Sequence, residues 1–160
     1  MKKMYSILVV CILLAVNAFA QEYNVLLIPD SLKKDANAVL RNEEMRVIIK
    51  GIDKAVVKHK YAITILNSKG LRYSYFYRTY DKLRSLGEID GNLYDAFGKK
   101  IKNVKKKDIE DHSSYDGYSL ATDDRYKSHQ FYYTEYPYTV EYEYELEFNG
   151  IYYLPAWRPF

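Results

Sequence analysis

The residues with suitable side chains for catalysis are few in this chain, and they do not form a recognisable catalytic set. A nucleophilic enzyme needs an activated nucleophile, a base within hydrogen-bonding reach and a donor for the developing oxyanion. The one cysteine is Cys11, and the three histidines are His59, His112 and His129. Asp111, His112 and Ser113 are consecutive, but sequence neighbours seldom adopt the geometry of a catalytic triad. We therefore predict that the chain is not itself an enzyme.

Candidate metal ligands concentrate in and beside a polar segment, residues 105–124. They are Asp111, His112, Asp116, Asp123, Asp124 and His129. The pair Asp123-Asp124 lacks the calcium-loop pattern, the histidines are not paired at helical spacing, and no glycine-rich phosphate loop is present. No two carboxylates are singled out as a pair for glycoside hydrolysis. We interpret these residues as solvated loop acids and predict no metal and no cofactor.

The clearest structural element is an amphipathic strand at residues 138–148. Aromatic and aliphatic residues alternate there with glutamates: Val140, Tyr142, Tyr144, Leu146 and Phe148 against Glu141, Glu143, Glu145 and Glu147. A period of two is typical of a half-buried β-strand. The pattern predicts an antiparallel sheet with one apolar face in the core and an acidic strand face toward water or a partner.

Seven further strands are predicted, at residues 43–50, 54–66, 71–80, 88–94, 99–104, 126–133 and 151–154. The predicted core face of strand 54–66 carries Ala55, Val57, His59, Tyr61, Ile63 and Ile65. Segments 67–70 and 95–98 read as hairpin connections, with Gly70 free to take a positive φ. Ser31 is a candidate helix cap. The prediction is an all-β fold, an antiparallel two-layer β-sandwich with one long loop, residues 105–124, and little helix.

The N-terminus carries the features of a signal peptide. Lys2 and Lys3 precede an apolar stretch from Ile7 to Val16, and a small-x-small ending, Ala18-Phe19-Ala20, follows. We predict a signal peptide at residues 1–20, a single domain at residues 21–160 and export to the periplasm or the cell exterior. We expect no membrane span after cleavage. The remaining chain has no cysteine, so its core rather than disulfides must stabilise it.

The charge balance argues against a nucleic-acid partner. The net charge is +3, and removal of the two leader lysines brings it closer to zero. The densest basic cluster is Lys99, Lys100, Lys102, Lys105, Lys106 and Lys107. Binding to phosphates requires a concentrated basic surface. We interpret this cluster as a solvated turn and predict no binding to nucleic acid.

Tyrosine is the compositional outlier, with 19 residues. Tyrosine packs well on a pleated surface and can keep its hydroxyl at the water, so a tyrosine-faced sandwich accounts for this number. The alternative is an exposed aromatic platform for a glycan or a peptide. Its expected members are Tyr132, Tyr133, Tyr136, Tyr138, Tyr152, Tyr153 and Trp157.

Seven short segments carry a family resemblance. In order they are Asp35-Ala36-Asn37-Ala38-Val39-Leu40, Ile65-Leu66-Asn67-Ser68-Lys69-Gly70, Gly98-Lys99-Lys100-Ile101, Asp108-Ile109-Glu110-Asp111, Asp123-Asp124-Arg125, Tyr136-Pro137-Tyr138-Thr139-Val140-Glu141-Tyr142 and Leu154-Pro155-Ala156-Trp157. Together they resemble the domain of unknown function DUF3857, over about Asp35 to Phe160. The resemblance implies an N-terminal β-sandwich module of exported bacterial proteins, ahead of a transglutaminase-like domain with Cys-His-Asp chemistry.

These observations favour an accessory role. The sequence stops at Phe160, where the family's chain would continue, so we expect truncation before the enzyme domain and carry over no catalytic residue. The leading hypothesis is a non-catalytic module that packs on, or presents substrate to, a transglutaminase-like domain in cis or in trans. The expected contact residues are Tyr152, Tyr153, Trp157 and Arg158. The alternative is a stand-alone module that binds a glycan or a peptide through exposed tyrosines, and an independent hydrolase using loop acids ranks third.

Overall fold

Two antiparallel sheets form the described part of the chain, residues 22–114 and 123–150 of a computed structural model. The strands are β1 Ala38–Ile49, β2 Lys54–Ile65, β3 Phe76–Tyr80, β4 Arg84–Tyr94, β5 Lys100–Asn103, β6 Glu110–Ser113, β7 Arg125–His129 and β8 Tyr138–Asn149. The larger sheet has the order β1-β2-β8-β4-β5, and the smaller has the order β3-β7-β6. The described part also contains a short helix, α1 Asp30–Lys33, and three 3₁₀ turns, at Val25–Leu27, Ser68–Ser74 and Lys106–Asp108. The predicted two-layer β fold with little helix is confirmed.

Strand β8 lies at the centre of the larger sheet, between β2 and β4. Its alternation places Val140, Tyr142 and Tyr144 in the core between the sheets, as predicted. On the opposite face, lysines of β2 lie among the glutamates. Lys60 binds Glu141 at 2.9 Å, and Lys58 is paired with Glu145. The outer face of the sheet therefore carries both signs of charge, although the β8 face alone is acidic.

The predicted core face of β2 is confirmed. The buried side chains on it are Ala55, Val57, His59, Tyr61 and Ile65, and Ile63 is half-buried. Residues 22–28 cover part of the other face, where Thr64 and Thr139 share a hydrogen bond of 2.7 Å. The Arg41 guanidinium donates to the backbone carbonyls of Glu22, Tyr23 and Asn24 and so fixes this segment to β1.

The predicted hairpin at residues 67–70 is wrong. The chain forms the 3₁₀ turn Ser68–Ser74 there, and β3 then starts at Phe76 and joins the smaller sheet. The positive φ expected for Gly70 is not observed either. A Cβ on Gly70 would lie 2.2 Å from the Asn37 carbonyl oxygen, so the residue is small because the two backbones approach closely.

Other predicted boundaries need smaller corrections. The hairpin turn at residues 95–98 is confirmed, with Gly98 at φ 82°. The predicted loop 105–124 includes a 3₁₀ turn and β6, because four residues of β6 pair with β7. Ser31 is not a cap, since α1 begins after Pro29 and has no side-chain capping bond. The predicted strand 151–154 lies outside the described residues.

Candidate functional site

The larger sheet extends beyond the smaller one along β1 and leaves an apolar surface partly uncovered. Met45, Val47 and Ile49 of β1 lie opposite His59, Val57 and Ala55 of β2, on the inner face of the sheet. The β2 side chains are buried, whereas the three β1 side chains are exposed. The contrast is clear in the cross-strand pair of two valines, where Val57 is 2% exposed and Val47 is 46% exposed.

This surface continues into a small separate cluster of packed side chains. Ala55, Val57 and Phe148 form the cluster, and Leu146 packs against it. We define the inner patch as these cluster residues together with the exposed β1 side chains: Met45, Val47, Ile49, Ala55, Val57, Leu146 and Phe148. Its exposed part is the β1 row of Met45, Val47 and Ile49 beside the buried cluster, and exposed apolar side chains grouped in this way mark interaction sites.

The described chain ends at the border of the inner patch. The Gly150 amide donates to the carbonyl of Asp53 in the β1–β2 turn, and the Asn149 amide donates to the carbonyl of Leu83. Ile52 in the same turn is almost fully exposed, and Leu83 is also exposed. The predicted contact residues, Tyr152, Tyr153, Trp157 and Arg158, follow Gly150 in sequence but lie outside the described residues.

A chain of hydrogen bonds crosses the two sheets beside the inner patch. Arg78 of β3 donates to the Tyr144 hydroxyl through Nε. The Tyr144 oxygen lies 2.8 Å from His59 Nδ1, and His59 Nε2 lies 2.8 Å from Glu43 Oε1. With a neutral histidine every donor points the same way, from the Arg78 cation to the Glu43 carboxylate. We name these four residues the relay.

The relay fixes the geometry of the sheets and leaves its central groups neutral. Burial lowers the pKa of His59, although the hydrogen bond to Glu43 opposes this. Burial raises the pKa of Tyr144, against the effect of Arg78. Both rings are buried and have little contact with solvent, so a substrate cannot easily reach them. The relay is therefore a structural tie between the sheets. The sequence alternation placed His59 and Tyr144 on core faces but could not show their cross-strand pairing.

An aromatic groove lies at the opposite end of the sandwich. The β4–β5 turn and residues 133–137 form it, and its lining residues include Phe97, Lys99, Lys100, Tyr133, Tyr136 and Pro137. The alternative of an exposed aromatic platform is wrong for Tyr138, because the ring of this residue is fully buried in the core. Tyr132 is exposed, and Tyr133 and Tyr136 pack on Tyr138 with ring centroids 5.4 Å apart. Tyr152, Tyr153 and Trp157 lie outside the described residues.

A second aromatic group, which sequence analysis did not identify, lies on the outer face of the smaller sheet. Tyr75, Tyr77, Tyr126 and His112 follow one another with ring centroids 6.4, 4.9 and 5.2 Å apart. The Tyr77–Tyr126 and Tyr126–His112 rings are tilted by 36° and 32°, at separations typical of aromatic pairs. The register between β3, β7 and β6 creates this row, and the sequence does not reveal that register.

The consecutive residues Asp111, His112 and Ser113 do not form a catalytic triad. The Asp111 carboxylate binds Arg125 at 3.0 Å and accepts a hydrogen bond from Tyr80, whereas the His112 ring lies against Tyr126 on the other face of β6. In residues 22–114 and 123–150, no three potential ligand side chains are grouped to hold a metal ion. Nor does any helix in these residues have the length and hydropathy to cross a membrane.

Comparison with protein families identifies the domain that carries these surfaces. The family described as a domain of unknown function with a solved structure, DUF3857, matches residues 53–157. The chain belongs to the DUF3857 family. The match begins in the β1–β2 turn and includes β2 to β8, so the resemblance found in the sequence is confirmed.

A solved structure shares the fold of this DUF3857 domain. It is the crystal structure of a protein described as a putative protease from Parabacteroides distasonis, with a TM-score of 0.63 and 10% sequence identity. The matched region covers 74% of this chain and 24% of that protein, so this chain spans about a quarter of its length. At this identity the likeness shows the fold alone. No curated protein matches the chain.

Proposed function

We propose that this DUF3857 domain is a non-catalytic accessory module that packs on a transglutaminase-like domain, in the same chain or in a separate one. The inner patch is the docking surface in this proposal. The observation that carries it is the exposure of Met45, Val47 and Ile49 on the inner face of the larger sheet, where the positions opposite them on β2 are buried.

The energetics favour coverage of the inner patch by another apolar surface. Removing apolar surface from water contributes roughly 25 cal/mol per Å². The buried cluster of Ala55, Val57 and Phe148 already provides a packed floor, so a partner needs to cover only the exposed β1 row. A surface that is already ordered loses little conformational entropy on binding, which makes docking more favourable.

The relay supports the same proposal because it makes the docking surface rigid. Glu43 is two residues before Met45 on the same strand, and His59 lies directly opposite Met45. The hydrogen bonds to Tyr144 and Arg78 therefore hold the rim of the inner patch against the smaller sheet. A fixed rim is suited to positioning a second domain.

Three features outside the patch are consistent with an accessory role. The chain belongs to DUF3857, its fold recurs in part of a longer protein described as a putative protease, and its described residues show no catalytic triad at Asp111, His112 and Ser113. Gly150, the last described residue, is hydrogen-bonded to the β1–β2 turn at the border of the inner patch.

Site-specific photo-crosslinking in the host tests the proposal. Benzoylphenylalanine replaces Val47 in one variant and Ile101 in the matched control. Both side chains are apolar, lie on edge strands of the larger sheet and are similarly exposed, at 46% and 45%. Cross-linked peptides are then identified by mass spectrometry, whether they come from the same chain or from another.

We expect position 47 to cross-link to a domain that has a cysteine, histidine and aspartate catalytic set, and position 101 not to do so. The proposal is wrong if position 47 yields no adduct beyond a second copy of this domain, if both positions give the same adducts, or if the other captured domain lacks such a catalytic set.

The aromatic groove favours a second function, binding of a glycan or a peptide. Exposed Phe97 faces the half-buried rings of Tyr133 and Tyr136 across a groove with Lys99 and Lys100 at its border. Aromatic rings with nearby polar groups are typical of recognition surfaces.

An array of glycans and peptides tests this second function. We expect a ligand that binds the wild-type protein to lose affinity for Phe97→Ala and to keep it for the control Tyr77→Ala, on the outer face of the smaller sheet. The absence of any bound ligand, or equal losses in both variants, would contradict the groove's role.

A further inference from the structure

The free backbone edge of β1 is a second feature, distinct from the apolar side chains of the inner patch. Within the described residues β1 pairs only with β2, and its second edge has no strand neighbour. All residues from Asn42 to Ile49 are exposed. An edge strand that is long, exposed and apolar readily pairs with another strand, and proteins normally protect such edges.

We propose that residues Glu44–Lys50 pair in antiparallel orientation with the same residues of a second copy, centred on Val47. The two larger sheets then form one continuous sheet across a two-fold axis. Such an interface is isologous, because the same segment contributes from both copies.

Side-chain alternation selects the register. Residues directly opposite each other in an antiparallel pair point to the same face of the sheet. Centring on Val47 places Val47 opposite Val47 of the second copy, and Met45 opposite Ile49 of the second copy. Every inward-facing pair in the segment is therefore apolar, and the inner patches of the two copies become continuous.

The charges on the outer face agree with this register. Glu44 lies opposite Lys50 of the second copy, and the symmetry repeats this pair. Opposite charges facing each other across strands stabilise a sheet, whereas like charges destabilise it. Arg46 lies opposite Ile48 of the second copy, so no like charges meet anywhere between Glu44 and Lys50.

The N-terminal segment disfavours the competing register centred on Met45. That register also offers a charge pair, Glu44 with Arg46 of the second copy. However, it places Val47 opposite Glu43 on the inner face and extends the pairing to Arg41. The Arg41 side chain already binds the carbonyls of residues 22–24. The register centred on Val47 ends before this point.

This inference goes beyond the proposed function and does not depend on it. Strand pairing uses the backbone edge of β1, whereas docking uses the side chains of the inner patch. The dimer can therefore fail while position 47 captures a catalytic domain, and the dimer can form while position 47 captures only a second copy of this domain.

A charge-swap experiment tests the dimer by sedimentation equilibrium of the purified protein. Glu44→Lys and Lys50→Glu each create two like-charge contacts across the two-fold axis. We expect each single variant to dimerise about tenfold more weakly than the wild type, since each contact changes a cross-strand pair from attractive to repulsive. An equimolar mixture of the two variants restores dimerisation, because the lysine introduced at position 44 of one chain then meets the glutamate introduced at position 50 of the other.

The mixture also serves as the folding control, because two misfolded variants would not restore a specific dimer. The double variant Glu44→Lys/Lys50→Glu is expected to dimerise like the wild type. The proposal is overturned if the wild type remains monomeric at millimolar concentration, if the single variants dimerise normally, or if Arg46→Glu rather than Lys50→Glu rescues Glu44→Lys.

Discussion

The central strand β8 and the edge strand β1 of the larger sheet have the same alternating pattern but very different surroundings. Around the centre of β8, Tyr142 and Val140 are covered by Phe76 and Phe131 from the other side of the sandwich, and all four are buried. On β1, Val47 has the same inward orientation but remains half exposed. The comparison shows that the alternation determines where a side chain points, whereas the neighbouring layer determines whether it is buried.

The largest effect is expected from truncation in the covered core. Phe131 is 1% exposed and packs on His129 and Tyr142. Phe131→Ala should reduce the free energy of unfolding by about 3–5 kcal/mol, because it leaves a cavity among close-packed rings. Urea denaturation measures this loss. The adjacent Tyr132 is 92% exposed, so Tyr132→Ala is the control and should change stability by at most about 0.5 kcal/mol.

The next largest effect is expected where the backbones of Gly70 and Asn37 approach each other closely. Gly70→Ala places a Cβ 2.2 Å from the Asn37 carbonyl oxygen, and the backbone must move to relieve the contact. We expect a loss of about 1–3 kcal/mol. Gly51→Ala is the matched control, since its Cβ would meet only the Asp53 side chain at 4.0 Å. Equal thermal stability of the two variants would show that this account of Gly70 is wrong.

A cross-strand pair gives the sharpest comparison between covered and open positions. Val57→Ala removes two buried carbons and should cost about 1.5–2 kcal/mol. Val47→Ala removes the same atoms from the exposed partner and should cost less than half as much in the isolated domain. Urea denaturation of both variants measures the difference. A large loss for Val47→Ala would mean that another part of this chain already covers the inner patch.

The smallest effect is a dependence of stability on pH that arises from two buried histidines, His59 and His129. Burial lowers the pKa of His59 and of His129, so the unfolded chain binds protons more readily than the folded one. The stability from these residues is complete above the ordinary histidine pKa of about 6.5 and decreases as the pH falls below it. Urea denaturation at pH 7.5 and pH 5 measures the decrease, above the range in which most carboxylates titrate.

The groups around the two rings explain why the effect is modest. The hydrogen bond to Glu43 opposes the lowered pKa of His59, and Arg78 adds to it. Around His129, Asp108 opposes the lowered pKa and Lys102 adds to it. A double variant that replaces both histidines with glutamine should show a flatter pH dependence. An unchanged dependence in that variant would assign the effect to other groups.

The fold class follows from the sequence because strand alternation is a local property. The glutamate-tyrosine pattern of β8 and the turn with Gly98 required only neighbouring residues to be recognised. The path after Gly70 could not be predicted in the same way. Asn67 to Gly70 has hairpin composition, but the contact that requires a glycine comes from Asn37, which is distant in sequence.

The candidate sites were harder to predict because they depend on cross-strand register and coverage. The relay requires His59 and Tyr144 to be paired and Arg78 to reach across from the other sheet. Similarly, no local pattern distinguishes Val47 from Val57, which share alternation and hydropathy. Tyr138, which the alternative of an aromatic platform placed at the surface, is buried, because the rings of Tyr133 and Tyr136 pack on it.

The oxidation of Met45 in the host, before and after purification, is the most direct test of whether β1 is covered in the working protein. Met45 belongs to the exposed row of the inner patch, and the chain's other methionines, Met1 and Met4, precede the described residues. Brief treatment with hydrogen peroxide followed by mass spectrometry gives the oxidised fraction. We predict that Met45 is protected in intact cells and reacts rapidly once the domain is isolated and diluted until it is monomeric. Rapid oxidation of Met45 in both conditions would contradict the claim that this surface is an interface.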